Sequence, residues 1–415
     1  MLKEDFLNSI KTLEGIDTEA FLTAMGRPAE VSIKMNRRKC TDVAVTGFEG
    51  FEPVKWCKNG YYLPERPKFT LNPLLHAGVF YVQDASSMIY ETVTGSLISR
   101  GLLPERPMVL DICAAPGGKT TSIINAVPDG STIVANEVMP KRVQILAENL
   151  QKWGYPEIMV TNMQAKGFRC VSASFDLVAV DAPCSGEGMM RKDEDACSQW
   201  SPRLVAQCAA LQQEILREAV DALRPGGVLI YSTCTFNTTE NETNVEWLVK
   251  ECGLKPLDPG VDPAWGIGSQ IGSQIPALRF MPHLTRGEGL FLAVLQKPGD
   301  AVPAAHHKTL ASLQKNGKVT LNGISQTASK GKIEVPASQW ALSTSFPADR
   351  YPACELDKET AIRYLSHEAI SLDANAPRGF VVVRYKGFPL GFVKNIGNRA
   401  NNLFPAQWRI RTQYK

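Results

Sequence analysis

The chain has 415 residues, 44% of them hydrophobic and 21% charged, which suits two to four globular domains and excludes global disorder. No apolar run approaches the roughly 18 residues that span a bilayer, and the start, Met1 to Leu7, lacks the apolar stretch of a signal peptide. A cytoplasmic protein without membrane contact is therefore expected, and a net charge of +3 says little until its distribution is considered.

In chain order, residues 4–13 predict an amphipathic helix, and Val31–Met35 a strand that runs into the basic cluster Lys34, Arg37, Arg38 and Lys39. The stretch Phe80–Ser87 leads into a helix ending before Gly101. From about residue 107 strands and helices alternate. Met108–Leu110 ends in Asp111 and a glycine-bearing turn, with a helix from Lys119; Thr132–Ala135 ends in Asn136–Glu137 and feeds a helix over Pro140–Trp153. Short strands at Ile158–Thr161 and Phe175–Val180 follow. A helix over Arg203–Leu223 has a near 3.6-residue apolar period and stops at Pro225–Gly226–Gly227, before the strand Val228–Ser232. This alternation implies parallel pairing and a doubly wound α/β sheet. After Lys297 the chain turns polar through about residue 335, as a flexible linker does, and that stretch includes His306 and His307. The last 65 residues, with a strand-like Phe380–Val383, predict a small β-rich domain.

From Ala376 onward there are eight Lys or Arg and no Asp or Glu, with Arg384, Lys386, Lys394 and Arg399 among them. A basic run alone also suits a solvated face. Two basic regions flanking an enzyme-like core favour a polyanionic partner, because neutralised phosphates release counterions. The ten cysteines are expected to be reduced thiols. No Cys-x-x-Cys pair or histidine pair at ligand spacing occurs, so no metal is expected.

The segment Asp111–Thr120 lies between the first parallel strand and its helix, where open α/β sheets bind ligands. It fails as a Walker A loop, because Cys113 stands where a glycine is needed, and it carries no Gly-x-Gly-x-x-Gly. What remains is a strand, an acid, a glycine turn and a second acid, Glu137, at the next strand end, able to accept both ribose hydroxyls of an adenosine group. The same spacing also suits a tight turn with a surface acid.

Two cysteines lie just past strand ends, Cys184 in Asp181-Ala-Pro-Cys-Ser-Gly-Glu-Gly188 and Cys234 in Ser232-Thr-Cys-Thr-Phe236. Both sit among acidic, hydroxylic and glycine residues, unlike Cys170 and Cys208, which suit a small-hydrophobe role. A thiolate adding to carbon 6 of cytosine makes carbon 5 nucleophilic enough to take a methyl group. Asp181 is then placed to hold the cytosine edge, and Lys119, at a helix N-terminus, to add positive potential. Spacing alone leaves both cysteines as candidates.

The three motifs Asp111–Thr120, Asp181–Gly188 and Ser232–Thr235, in this order, resemble the Sun/Fmu-type RNA 5-methylcytosine methyltransferases. The resemblance is strong over about residues 70–296. It implies a Rossmann-like class I methyltransferase fold and S-adenosylmethionine bound by Cys113, Ala114, Ala115, Pro116, Gly117, Gly118, Lys119, Glu137, Gln164 and Asp181. It assigns the nucleophile to Cys234 and product release to Cys184. Gln164 stands where the family usually has an Asp that bonds the adenine amino group. The leading region resembles the family's RNA-binding part, and Gly387–Gly391, Lys394 and Asn401–Pro405 resemble the PUA-like end of its bacterial RsmF group. The expected layout is an α+β RNA-binding region over 1–70, a methyltransferase core over 71–297, a linker over 298–339 and a β-rich PUA-like domain over 340–415. The implied RNA contacts are Lys34, Arg37, Arg38, Lys39, Arg384, Lys386, Lys394 and Arg399. The implied activity is cytosine-C5 methylation of 16S rRNA, on naked RNA or the 30S subunit, by a monomer. The alternatives are a tRNA target or a non-catalytic ribosome-assembly factor.

Overall fold

A computed structural model describes residues 2–300, 305–330 and 333–411. Helices α1 (Glu4–Lys11) and α2 (Thr18–Met25) precede an antiparallel sheet of β1 (Val31–Met35), β2 (Glu52–Val54), β3 (Cys57–Leu63) and β4 (Phe80–Val82), ordered β2-β3-β1-β4. The short helix α3 (Pro73–His76) lies between β3 and β4. Because β4 pairs with β1, the leading unit extends past the expected boundary at residue 70.

After α4 (Ile89–Ser99) the chain runs β5 (Met108–Asp111), α5 (Gly118–Ala126), β6 (Thr132–Asn136), α6 (Pro140–Trp153) and β7 (Ile158–Thr161). It continues through β8 (Phe175–Asp181), α7 (Glu194–Gln199), α8 (Pro202–Ala222) and β9 (Leu223–Thr233), then α9 (Glu242–Cys252), β10 (Lys255–Leu257), β11 (Ala277–Phe280) and β12 (Leu290–Gln296). The strand order β7-β6-β5-β8-β9 is parallel throughout, with β12 antiparallel beside β9. The order reverses between β5 and β8, the switch point at which such sheets form a crevice.

Both faces of this sheet are covered, so its strands read as continuous apolar runs. Val109, Ile133, Leu177 and Ile230 pack under residues of α4, α5 and α6 such as Val93, Ile124 and Leu150. Met108, Val134, Val178 and Leu229 meet Leu216 and Ala219 of α8 and Leu248 of α9 on the other face. Ser201 caps α8 by accepting from the Leu204 amide at 3.1 Å, and Gly154 ends α6 at φ +87°, a left-handed turn that suits glycine.

The expected linker is in large part built structure. Helix α10 (His306–Asn316) buries Leu313 in the core beneath β7 and α8, and β13 (Val319–Asn322) adds an antiparallel edge strand to β7. His306 Nδ1 lies 3.0 Å from Thr132 Oγ1. Polar composition concealed this because one helix face and an edge strand need few apolar residues. The part of that expectation at 301–304 and 331–332 lies outside the described residues. The hairpin β14 (Thr327–Lys330) and β15 (Ile333–Pro336) and helix α11 (Ser338–Ala341) lead to the terminal sheet. That sheet has order β16 (Ala353–Glu355), β17 (Gly379–Tyr385), β18 (Phe388–Asn395), β19 (Ala400–Asn402), with α12 (Lys358–Leu365) packed on it. Its apolar face shares one core with the leading sheet, through Ile33, Met35 and Phe80 on one side and Ile362, Val381 and Leu390 on the other. Among the described residues no helix is long and apolar enough to cross a membrane.

Two stability predictions come from this packing. Leu313→Ala should lower unfolding free energy by about 2–5 kcal/mol in urea titration, the cost of a buried leucine cavity, whereas a true linker residue would change it by almost nothing. Asp111, fully buried at the end of β5, has its carboxyl pushed up by burial from 3.8 to about 7, with only partial relief from the Thr120 hydroxyl. The folded chain then keeps a proton that the unfolded chain releases at the normal carboxylate value. Stability from this group is present at low pH and is lost as pH rises towards 7. Asp111→Asn should therefore gain in melting temperature relative to the parent as pH is raised from 4 to 7. A constant difference across that window would refute the assignment.

Candidate functional site

A cleft of about 1420 Å³ opens at the carboxyl ends of the parallel strands, with Cys113, Ala115, Glu137, Asp181, Cys184 and Cys234 in its walls. The turn after β5 is tied down at both edges. The Ile112 amide donates to Ala179 O at 3.0 Å, and the Ala114 amide to Asn136 O at 2.8 Å. Gly117 takes φ +108° to start α5, where a Cβ would also press within 3.3 Å of Leu146. Of the predicted turn residues, Cys113 and Ala115 face the cleft, while Ala114 is buried and Pro116, Gly117 and Gly118 shape the bend. Burial pushes the Cys113 thiol far up, so it is a neutral wall.

Glu137, 3% exposed at the end of β6, accepts from the Met139 amide at 2.8 Å and pairs with Arg142 at 3.3 Å. Beside it Val138 and Met139 are half exposed, an apolar shelf on the cleft wall. Gln164 is exposed on the same wall. A buried carboxylate, an apolar shelf and a free amide suit the ribose, ring face and ring edge of an adenosine group, so these residues fit the cofactor that the turn implies.

The two thiols meet because β8 and β9 are parallel neighbours with Asp181 opposite Ser232. Cys184 Sγ and Cys234 Sγ are 3.2 Å apart. The hydrogen bond with Cys234, and then burial, hold the Cys184 thiol well above its usual range, so Cys184 keeps its proton. Lys119 Nζ donates to Asp181 Oδ2 at 2.8 Å. Burial pulls the Lys119 ammonium down, but pairing with Asp181 more than offsets this and leaves it above its ordinary value. A fixed positive charge thus stands behind Asp181 in the cleft wall, close enough to Cys234 to interact with it.

Several buried groups that sequence reasoning missed hold the cysteine loops. Glu187 accepts from the amides of Phe236 (2.5 Å) and Asn237 (3.0 Å) and from Trp200 Nε1 (3.0 Å), joining the Cys184 loop to the Cys234 loop. Glu240 accepts from the Ser185 amide at 3.0 Å and Gln212 Nε2 at 2.7 Å. The Gly188 amide donates to Cys234 O at 2.7 Å, and a Cβ there would come within 2.5 Å of that oxygen. Glu187 was visible as part of a quoted motif. Glu240 and Gln212 carried no local signal.

The basic residues divide differently from expectation. Lys34 is fully buried, and its ammonium donates to Gly118 O, Thr121 Oγ1 and Ser122 Oγ at 3.1, 3.0 and 2.5 Å, which uses all three donors. Burial lowers it to about 7, so it joins the leading sheet to α5 and cannot meet a phosphate. Lys39 donates to Ala77 O and Lys152 O, both at 2.7 Å, and burial lowers it to about 7. Arg38 bonds Ile124 O and pairs with Asp129. These three are corrections: β1 and the turn after it pack against the methyltransferase core. Arg37 is exposed, as are Lys386, Lys394 and Arg399 on the terminal sheet, while Arg384 is half-buried. Among the described residues no group of three or more His, Cys, Asp or Glu stands where it could hold a metal ion.

Comparison with known proteins agrees with this geometry. Residues 102–296 match the family described as 16S rRNA methyltransferase RsmB/F, residues 2–85 the N-terminal domain of 16S rRNA methyltransferase RsmF, and residues 351–410 the methyltransferase RsmF PUA domain. Ribosomal RNA small subunit methyltransferase F of Cronobacter sakazakii is 30% identical over 98% of this chain and 96% of its own length. Its counterpart in Aeromonas salmonicida is 29% identical over 98% and 97%. A crystal structure of a methyltransferase homolog from Pyrococcus horikoshii has a TM-score of 0.56 and 25% identity, covering 71% of this chain and 100% of that one. The chain belongs to the RsmB/F family of S-adenosylmethionine-dependent RNA methyltransferases.

Proposed function

We propose that this enzyme methylates carbon 5 of a cytosine in 16S rRNA of the small ribosomal subunit, in the cytoplasm, through a covalent bond between Cys234 and the base. The observation that carries the reading is the pair of thiols 3.2 Å apart beside the Lys119–Asp181 ion pair, at neighbouring strand ends over one cleft. The names of its relatives support the ribosomal target.

S-adenosylmethionine, held by the turn after β5 and by Glu137, supplies an electrophilic methyl group when bound. Cys234 adds as thiolate to carbon 6 of the cytosine, favoured by the Lys119 charge. The electron pair of the 5,6 bond moves to carbon 5, which takes the methyl group. Asp181 holds the ring edge beside N3 by accepting from the exocyclic amine. Water takes the carbon 5 proton, the electron pair of that bond restores the 5,6 double bond, and the Cys234 sulfur leaves with the pair of its bond to carbon 6, a release that Cys184 assists from 3.2 Å away. The base must leave its stack to reach this cleft, which favours loosened or single-stranded RNA. Arg37, Lys386, Lys394 and Arg399 are exposed to meet its phosphates.

With labelled methyl donor and 16S rRNA or 30S subunits, Cys234→Ala should reduce transfer to background. Cys184→Ala should accumulate a protein–RNA adduct that survives denaturing electrophoresis. Full transfer by Cys234→Ala would overturn the nucleophile assignment, and label entering only tRNA would overturn the target.

A further inference from the structure

Both oxygens of Asp181 are engaged from below the cleft. Oδ2 accepts from Lys119 at 2.8 Å, and Oδ1 accepts from Ser232 Oγ at 2.7 Å. The Tyr90 hydroxyl lies 2.8 Å from Ser232 Oγ, and because the serine proton is committed to Asp181, Tyr90 is the donor to serine. Tyr90 and Ser232 are fully buried and line no part of the cleft, and the Lys119 ammonium stands 6.0 Å from the centre of the Tyr90 ring. Burial, and then the nearby Asp181, keep the Tyr90 phenol protonated. Helix α4, helix α5 and strand β9 thus converge on one carboxylate at the end of β8.

We propose that Ser232 and Tyr90 are positioning residues for methyl transfer, forming a donor relay that keeps the Asp181 carboxylate aimed at the cytosine edge. A carboxylate held by hydrogen bonds on both oxygens has a fixed direction, and a site so arranged needs no reorganisation when the base arrives. The other titratable groups facing Asp181 are Asp111 on β5, which accepts from Thr120, Cys113 on the turn after it, and Tyr231 on β9, whose hydroxyl donates to Gln212 and Glu240 O. Asp84 and Cys234 face Lys119. The Ser232 and Lys119 bonds are therefore what fix the direction of the Asp181 carboxylate. The relay rests on the role given to Asp181 above.

The test is methyl transfer to RNA with kcat and KM measured separately. In Ser232→Ala kcat should fall about tenfold, the loss of one hydrogen bond to a charged group, while KM for RNA stays within about twofold. Tyr90→Phe keeps the ring volume, and its kcat should fall by less. A kcat equal to the parent's in the folded variants would overturn the relay. Asp181→Asn separates the two ideas. If it is inactive while the other two variants keep the parent's kcat, only the relay fails. If it retains full transfer, the role of Asp181 fails and the relay with it.

Discussion

Everything at this site depends on the parallel register of β8 with β9. Two strands paired side by side, with Asp181 opposite Ser232, bring Cys184 and Cys234 from 50 residues apart into sulfur contact. Neither loop would hold this geometry alone. The carboxylates of Glu187 and Glu240 accept backbone amides from the opposite loop, so the strand ends are clamped by charge-assisted bonds inside a dry interior. The leading helices add weight from outside. Phe6 packs edge-on to Trp200 and Phe21 edge-on to Phe236, two residues past Cys234. The α1–α2 unit is therefore a buttress for the loops that carry the thiols.

The electrostatics are economical. Lys119 interacts with Cys234 from beneath the cleft, and its charge is held high by a partner, Asp181, whose other oxygen is also bonded. The neighbouring Cys234 sulfur, and then burial, hold the Cys184 thiol well above its usual range, so Cys184 keeps its proton.

Much of this was legible in the sequence where the determining contacts are local. The turn from Asp111 to Lys119 and the strand-end acid Glu137 follow from glycine and strand patterning. Helix α8 was expected over 203–223 and runs from Pro202 to Ala222, because its apolar period and the Pro-Gly-Gly stop are local signals. What escaped was non-local. Lys34 read as a surface cation because nothing near it in sequence announces Ser122, its partner 88 residues away. The segment from His306 to Asn322 read as linker because its burial depends on an edge that β7 offers. Tyr90 gave no signal, since its hydroxyl matters only once Ser232, 142 residues later, reaches it.

The shared core of the two terminal sheets has a consequence for how this protein could be divided or recombined. Ile33, Met35 and Phe80 at one end and Ile362, Val381 and Leu390 at the other bury one another, and Lys386 reaches across to Val45 O at 2.9 Å. First and last domains are thus halves of one hydrophobic joint, although more than 250 residues of catalytic chain separate them. A chimera that exchanged only the tail with that of a relative would set two mismatched surfaces against each other. The modular unit for such exchange is the pair of ends taken together, with the catalytic sheet as the insert between them.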